Sequence, residues 1–291
     1  MRGAGARSDT AKMTWRHIMF FVDRPAGLER GIVQKVGQLA RGLDAEVEVF
    51  DCIFDPAITD DREVQEALDQ RARELEAVVQ FLRECSVRSR VTVHWAHPPR
   101  EGVIRQIQKL PPDLLVIQSK RHSRLARLLL SYSDYKLIET APCPLWVIKN
   151  VRPYDGGRVV AAMDPLHLHG QLTGLDERIL GAASVISRGM GMPLHFFHAC
   201  MAGVESGVKQ LAHSYQAPEG QVHVEIGDPA VLLPRFVHGE SSDLLVMGAV
   251  ARSRIRRTLI GYTAERVLDA TDCDLLIVRN DPAESDAAAF Q

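Results

Sequence analysis

The sequence predicts an α/β fold made of two tandem domains, each a five-stranded parallel sheet with helices on both faces. Three observations carry this. Short apolar runs alternate with stretches whose apolar residues recur every three or four positions. The runs are continuous, as in strands buried on both faces of a parallel sheet. The pattern also occurs twice. Asp113-Leu-Leu-Val-Ile117 returns as Asp243-Leu-Leu-Val-Met247, 130 residues later, and the register holds without a gap to Asn150 and Asn280. Over those 38 positions 12 residues are identical, which favours a duplicated unit over one large domain.

In the first copy, Ile18–Val22 is the first strand and Leu28 to Leu43 has helical periodicity. Val47–Phe50 reads as the second strand. A long amphipathic helix is predicted from Asp60 to Cys85. Asp60 supplies the cap, Glu63 can complete a capping box, and Val64, Leu68, Ala72, Leu75, Val79 and Leu82 form the apolar stripe. Val91–Trp95, Leu114–Ile117 and Leu145–Ile148 are the remaining strands, separated by helical patterns at Val103–Leu110 and Tyr132–Thr140.

The second copy follows. Val159–Met163, Leu194–Phe197, Val222–Ile226, Leu244–Met247 and Leu275–Val278 read as strands. Helices are predicted near Leu175–Ser187, Val204–Tyr215, Val231–His238 and Ala264–Ala270, the second of them shorter than its counterpart in copy one. Upstream of the gapless register, Val22-Asp23 matches Met163-Asp164 at an offset of 141. The expected layout is a tail over 1–14, a first domain over 15–150, a linker over 151–157, a second domain over 158–281 and a tail over 282–291. Pro153, Gly156 and Gly157 punctuate the linker.

Composition narrows the function. The chain has 291 residues, 46% hydrophobic and 25% charged, too apolar for general disorder. No apolar run approaches the roughly 18 residues of a membrane span. With 35 Lys and Arg against 37 Asp and Glu, the global charge argument for nucleic-acid binding is missing. Five dispersed cysteines without a Cys-x-x-Cys pair indicate neither a disulfide framework nor a zinc knuckle. With no secretory segment read at the start, the expected location is the cytoplasm.

Doubly wound sheets bind ligands beyond the carboxyl ends of their strands. Asp23 and Asp164 after strand one, and the loops after strand four, are therefore the places to examine. In copy two that loop runs from Gly248 through Ala251, Arg252, Arg254, Arg256 and Arg257 to Gly261, Tyr262 and Thr263. Glycine at a strand end allows close approach to the backbone. A helix start capped by Thr263 offers free N–H groups to an anion, and the arginines add positive charge. The residues alone also allow a plain turn at Gly261, a plain cap at Thr263 and a solvated basic face.

The phrase Asp243-Leu-Leu-Val-Met-Gly248, with its spacing and strand order, resembles the universal stress protein family, twice over and across nearly the whole chain. The likeness is to a tandem member of the E type. It implies an adenine nucleotide alpha hydrolase-like fold, ATP bound in some members without a dedicated catalytic apparatus, and a role in stress survival and signalling. Nucleotide-binding members carry Gly-x2-Gly-x9-Gly-Ser/Thr after strand four and an aspartate after strand one. Carried over, Gly248 and Gly261 match the first and third glycines. Ala251 replaces the second, and Tyr262 replaces the hydroxyl residue with Thr263 following. Arg252 stands with them as a candidate binding residue for the positive charge it adds to the loop. Asp164 matches the adenine-side aspartate, and His198-Ala199 would wall the base. ATP, with Mg accompanying it, is thus the expected ligand of the C-terminal domain. Copy one has Gln118, Arg121 and Ser131 at the glycine positions, which implies a lost nucleotide site, and a further basic loop at Lys120–Arg124.

Other motifs are missing. There is no Walker-type loop, no complete dinucleotide fingerprint and no nucleophile elbow. No general base is set against a nucleophile, so no catalytic residue is predicted. No metal site is predicted either, and His167 and His169 are where one would first be sought. His195 and His198, three apart on a strand, should face opposite ways. Cys143 and Cys273, before the fifth strands, read as small buried hydrophobes. The family resemblance implies that the fifth strands, Leu145–Ile148 and Leu275–Val278, pair within the chain as a pseudo-dimer, and that two chains can associate further. Three readings stay open: a nucleotide-responsive regulator with protein partners, a nucleotide-free scaffold or binder of another small ligand, and a slow ATP hydrolase.

Overall fold

A computed structural model describes residues 13–119, 132–164, 174–200, 208–239, 243–249 and 262–279. The first repeat comprises β1 (His17–Phe21), α1 (Arg30–Leu43), β2 (Glu46–Ile53), α2 (Asp61–Glu84), β3 (Ser89–Trp95), α3 (Pro99–Lys109), β4 (Leu114–Gln118), α4 (Tyr132–Thr140) and β5 (Leu145–Ile148). The second comprises β6 (Val159–Ala162), α5 (Leu175–Met190), β7 (Leu194–Cys200), α6 (Val208–Tyr215), β8 (Val222–Ile226), α7 (Pro229–Gly239), β9 (Leu244–Ala249), α8 (Tyr262–Ala270) and β10 (Asp274–Arg279).

All ten strands form one sheet in the order β3-β2-β1-β4-β5-β10-β9-β6-β7-β8. Every pairing within a repeat is parallel. The junction is antiparallel, with Leu275 opposite Val147, Leu276 opposite Trp146 and Ile277 opposite Leu145. The fifth strands therefore cover each other's edges, which would otherwise offer unpaired backbone groups. The antiparallel junction also points the carboxyl ends of the two repeats' strands toward opposite edges of the sheet.

Two apolar layers follow from the strand alternation. One face packs against α1, α2, α5 and α6 through residues such as Phe20, Val36, Leu75, Trp146, Ile186 and Leu211. The other packs against α3, α4, α7 and α8 through Met19, Ile107, Leu137, Phe197, Phe236 and Val267. The cap of α2 forms as predicted, Asp60 Oδ1 accepting from the Arg62 N–H at 2.8 Å. Leu75, Val79 and Leu82 of its stripe are fully buried, while Val64, Leu68 and Ala72 are only half-buried. In copy two the described helix α6 begins at Val208, and residues 204–207 of the longer predicted helix lie outside the described residues.

The repeats also join through α1 and α5. A side chain on Gly42 would meet the Gly189 carbonyl oxygen at 1.9 Å, so the two backbones touch where the helices cross. A polar knot lies nearby. Lys35 of α1 reaches Asp274 Oδ2 of β10 at 2.6 Å, with both side chains fully buried. Asp274 also accepts from the Tyr154 hydroxyl and from the N–H groups of Lys149 (2.7 Å) and Asn150 (2.8 Å). Such a pair is tolerable in the interior because each remaining lone pair is bonded. Lys149 crosses the junction and donates to the carbonyls of Leu268 and Thr271 at the end of α8, which suits a cation at a helix C-terminus.

Candidate functional site

The second-repeat crevice starts where β6 ends. Met163 and Asp164 follow it, and the Asp164 N–H donates to Asp176 Oδ1 at 3.2 Å. Asp176 lies in the first turn of α5, an acidic side chain at the positive end of a helix. The chain enters that helix through Gly174, whose φ of 91° is a left-handed conformation that glycine adopts without a Cβ clash. The last β6 pair is Ala162 with Phe197, so β7 carries His198, Ala199 and Cys200 beyond it. His198 is 2% exposed, and its Nδ1 lies 3.1 Å from the Met163 carbonyl oxygen. Ala199 points to the opposite face, buried in the layer that holds Leu233, Met247 and Ala264.

Gly248 is the fifth residue of β9. A side chain there would meet Leu175 Cδ2 at 2.7 Å and Ile179 Cδ1 at 3.3 Å. On this face the close approach that glycine permits is the seating of α5. Thr263 is partly buried in the first turn of α8, which Tyr262 opens. Ala251, Arg252, Gly261 and the Tyr262 side chain lie outside the described residues. From the same helix, Arg266 lies 3.7 Å from Asp228 Oδ2, while Asp228 Oδ1 accepts from the Ala230 N–H at the start of α7.

The first-repeat crevice is built differently. Arg100, the second residue of α3, lies 3.2 Å from Asp23 Oδ2 and 5.7 Å from the centre of the Phe21 ring. Asp51, 1% exposed, receives its own Cys52 N–H at 2.7 Å. Arg71 Nε of α2 stands 2.8 Å from Asp51 Oδ2, in ion-pair contact but off the hydrogen-bonding direction. Burial pushes the Asp51 carboxyl up to about 6, and the Asp23 and Glu74 charges push the same way against Cys52 N–H and Arg71. Burial likewise holds the Cys52 thiol at about 11. Two arginine–carboxylate pairs thus occupy the ends of β1 and β2.

The two crevices can be compared residue by residue. Helices α3 and α7 each run 11 residues, from Pro99 and from Pro229. Ala230 therefore stands where Arg100 stands, and it carries no guanidinium toward the strand-one aspartate. The sheet register matches Phe50 with Phe21 and Phe197 with Ala162, so His198 occupies the place of Asp51.

Several side chains at the crevice were not singled out from the sequence alone: Asp176, Tyr215 and the Arg100–Ala230 difference. The last was legible in the 130-residue offset that aligns Pro99 with Pro229. The histidine geometry matches the strand alternation. His195 pairs with His223 at 3.0 Å, stacked at 5.3 Å, on the α7 side, while His198 faces away. His167 and His169, and the basic stretch at Lys120–Arg124, lie outside the described residues. Among the described residues no three His, Cys, Asp or Glu side chains come together to hold a metal, and no helix is long and apolar enough to cross a membrane. Cys143 and Cys273 are buried, and burial pushes both thiols up to about 12, which leaves no thiolate at neutral pH. A cavity of about 580 Å³, lined by Asn150, Arg152, His238, Asp243, Asp272 and Cys273, opens at the amino ends of β9 and β10, away from the crevice.

Comparison with known proteins agrees with the architecture. A family model described as the universal stress protein family matches residues 14–149 and 176–279. Universal stress protein E of Escherichia coli K12 is 24% identical over 241 residues, 75% of this chain and 76% of the relative. The corresponding protein of Photorhabdus laumondii is 24% identical over 240 residues, 74% of this chain and 76% of its own. Among solved structures, a functionally unknown protein of Pseudomonas aeruginosa superposes with a TM-score of 0.74 at 24% identity, covering 97% of this chain and all (100%) of that one. A universal stress protein of Archaeoglobus fulgidus superposes with a TM-score of 0.71 at 16% identity, covering 90% and 98%. The duplicated five-stranded unit, the strand-one aspartates and the family match at both repeats lead to one conclusion: the chain belongs to the universal stress protein family, as a tandem member resembling the E type.

Proposed function

We propose that the second repeat binds an adenine nucleotide, ATP with its Mg foremost, and that the protein acts as a stress-response regulator whose partner contacts respond to that occupancy. The observation that carries this reading is the contrast between Arg100 and Ala230. In the first repeat a guanidinium from α3 neutralises Asp23. At the matching place on α7 the second repeat has only a methyl group. Asp164 follows β6 with its N–H on Asp176, and His198 and Ala199 stand at the neighbouring strand end. The start of α8 supplies the positive end of a helix dipole for phosphates. The second-repeat loop residues Ala251, Arg252, Gly261 and Tyr262 belong to the same proposal. No residue is assigned a catalytic step.

The experiment is direct. The purified protein is denatured and any released small molecule is identified by mass spectrometry, and ATP binding is measured by calorimetry with Asp164→Ala alongside. An adenine nucleotide in the release, or micromolar ATP binding lost in Asp164→Ala, supports the reading. No nucleotide and no binding sink it. Tyr262→Ser restores the family's small hydroxyl residue and should tighten ATP binding.

A nucleotide-free scaffold is favoured by one feature, the continuous ten-stranded sheet with its buried Lys35–Asp274 knot. In that reading the first repeat serves as a fixed structural partner of the second.

A further inference from the structure

The cavity of about 580 Å³ at the amino ends of β9 and β10 lies away from the second-repeat crevice and is walled by parts that meet only in the folded chain. Arg152 comes from the segment joining the repeats, Pro234 and Val237 from α7, Asp243 from just before β9, and Asp272 from the turn between α8 and β10. The volume is that of a small-molecule pocket.

The charged side chains of this cavity are not met within the chain. The Arg152 backbone N–H donates to Asn150 Oδ1 at 3.0 Å, but among the described residues its guanidinium makes no ion pair or hydrogen bond. The same holds for the Asp243 and Asp272 carboxylates, although they line the same cavity. The ammonium groups nearby are already engaged, Lys35 by Asp274 and Lys149 by the Leu268 and Thr271 carbonyls. Asp243 is half-buried, so leaving its charge without a partner is costly. Burial pushes its carboxyl up, against the Lys35 charge and together with that of Asp274.

The repeat supplies a comparison. Asp113 stands 130 residues before Asp243 in the gapless register. Its Oδ2 accepts from the Arg16 N–H at 2.7 Å and from the His17 N–H at 2.8 Å. The first repeat therefore satisfies this carboxylate from its own backbone, and the second turns it to a cavity. Carboxylates and an arginine that share a cavity without pairing suit one molecule that carries both signs. The carboxylates take a charged N–H donor, and the guanidinium fork takes a carboxylate. Val237, 3% exposed, and half-buried Pro234 give the same cavity an apolar wall for an aliphatic body.

We propose that this cavity is a second ligand site that takes a small aliphatic zwitterion, its ammonium pairing with Asp243 and Asp272 and its carboxylate with Arg152. The inference stands apart from the nucleotide reading, because it uses none of the crevice residues. Occupancy would tie the segment between the repeats to α7 and to the end of α8.

The test is calorimetry on the full chain with L-leucine and L-leucyl-L-leucine, which separate a free amino acid from a short peptide. 3-Methylbutylamine and 4-methylpentanoate, each keeping one charge of leucine, are the controls. At least one zwitterion should bind with a Kd below about 1 mM, and both single-charge analogues should bind at least about tenfold more weakly. Arg152→Gln and Asp243→Asn should each weaken the zwitterion by about tenfold, the scale of one charge-assisted contact. Asp243 packs against the Gly157 backbone, so its variant is checked by circular dichroism. Arg152 is exposed and makes no side-chain contact of this kind in the fold, so Arg152→Gln carries the test if Asp243→Asn misfolds. No binding of either zwitterion up to about 10 mM overturns the proposal. So does an affinity matched by a single-charge analogue, or one unchanged in Arg152→Gln.

Discussion

Asp51 and His198 occupy the same register position at the ends of the second strands of the two repeats, and each faces the strand-one carboxyl end of its own sheet. In one repeat the position holds an acid bound by the chain's own Arg71. In the other it holds an imidazole with a vacant nitrogen. Duplication has thus placed an acid paired with an arginine at this position in one repeat and a histidine facing a backbone carbonyl in the other.

The Asp51 pair predicts a pH signature. Its carboxyl is held at about 6, above the ordinary 3.8, so the fold favours the protonated acid. That preference is fully present below the unfolded pKa and is lost as pH rises through about 6. Asp51→Asn is neutral throughout and avoids the loss. Urea unfolding should show the variant gaining on the wild type by about 2 kcal/mol between pH 4 and pH 7. A difference that does not change with pH would refute the buried-acid account.

Ala230→Arg should install in the second repeat the clamp that Arg100 forms in the first. ATP affinity should drop at least about tenfold, the scale of one charge-assisted contact to Asp164. Circular dichroism of the variant establishes that α7 is intact, and an unaltered Kd would remove the Arg100–Ala230 contrast from the functional argument.

The crossing of α1 and α5 tolerates no side chain at Gly42, because the Gly189 carbonyl lies in its space. Gly42→Ala should lower stability by about 1–3 kcal/mol through forced separation of the helices. Gly191→Ala makes a different control: nothing crowds it, but its φ of 67° is left-handed, so its cost is strain rather than overlap. A neutral Gly42→Ala would mean that the helices are not in backbone contact.

Lys35→Met leaves Asp274 buried without its ammonium. A loss of about 3–5 kcal/mol is expected, as for other broken buried pairs. Arg62→Met, which removes an exposed partner of Glu66, should leave the unfolding midpoint unmoved. Equal effects of the two would show that the junction knot is wet.

The strands, the helix faces and the duplication were legible in the sequence because they rest on local periods: continuous apolar runs for buried strands, and a 3.6-residue stripe ending in fully buried Leu75, Val79 and Leu82 for α2. The Asp60 cap was legible because capping is a local exchange of backbone and side-chain groups. Asp164 and Gly248 could be named from spacing, but the reason for the glycine could not, since Leu175 and Ile179 come from a helix about 70 residues earlier in the chain.

What the sequence determined alone was the repeated α/β unit and the strand-end positions where a ligand would be sought. The tertiary structure decided that Arg100 pairs with Asp23, that Lys35 meets Asp274 across 239 residues, and that His198 turns its Nδ1 to the Met163 carbonyl. Those depend on which side chains the folded chain brings within hydrogen-bonding range and shields from water. Neither proximity nor desolvation is a property of a residue's neighbours in sequence.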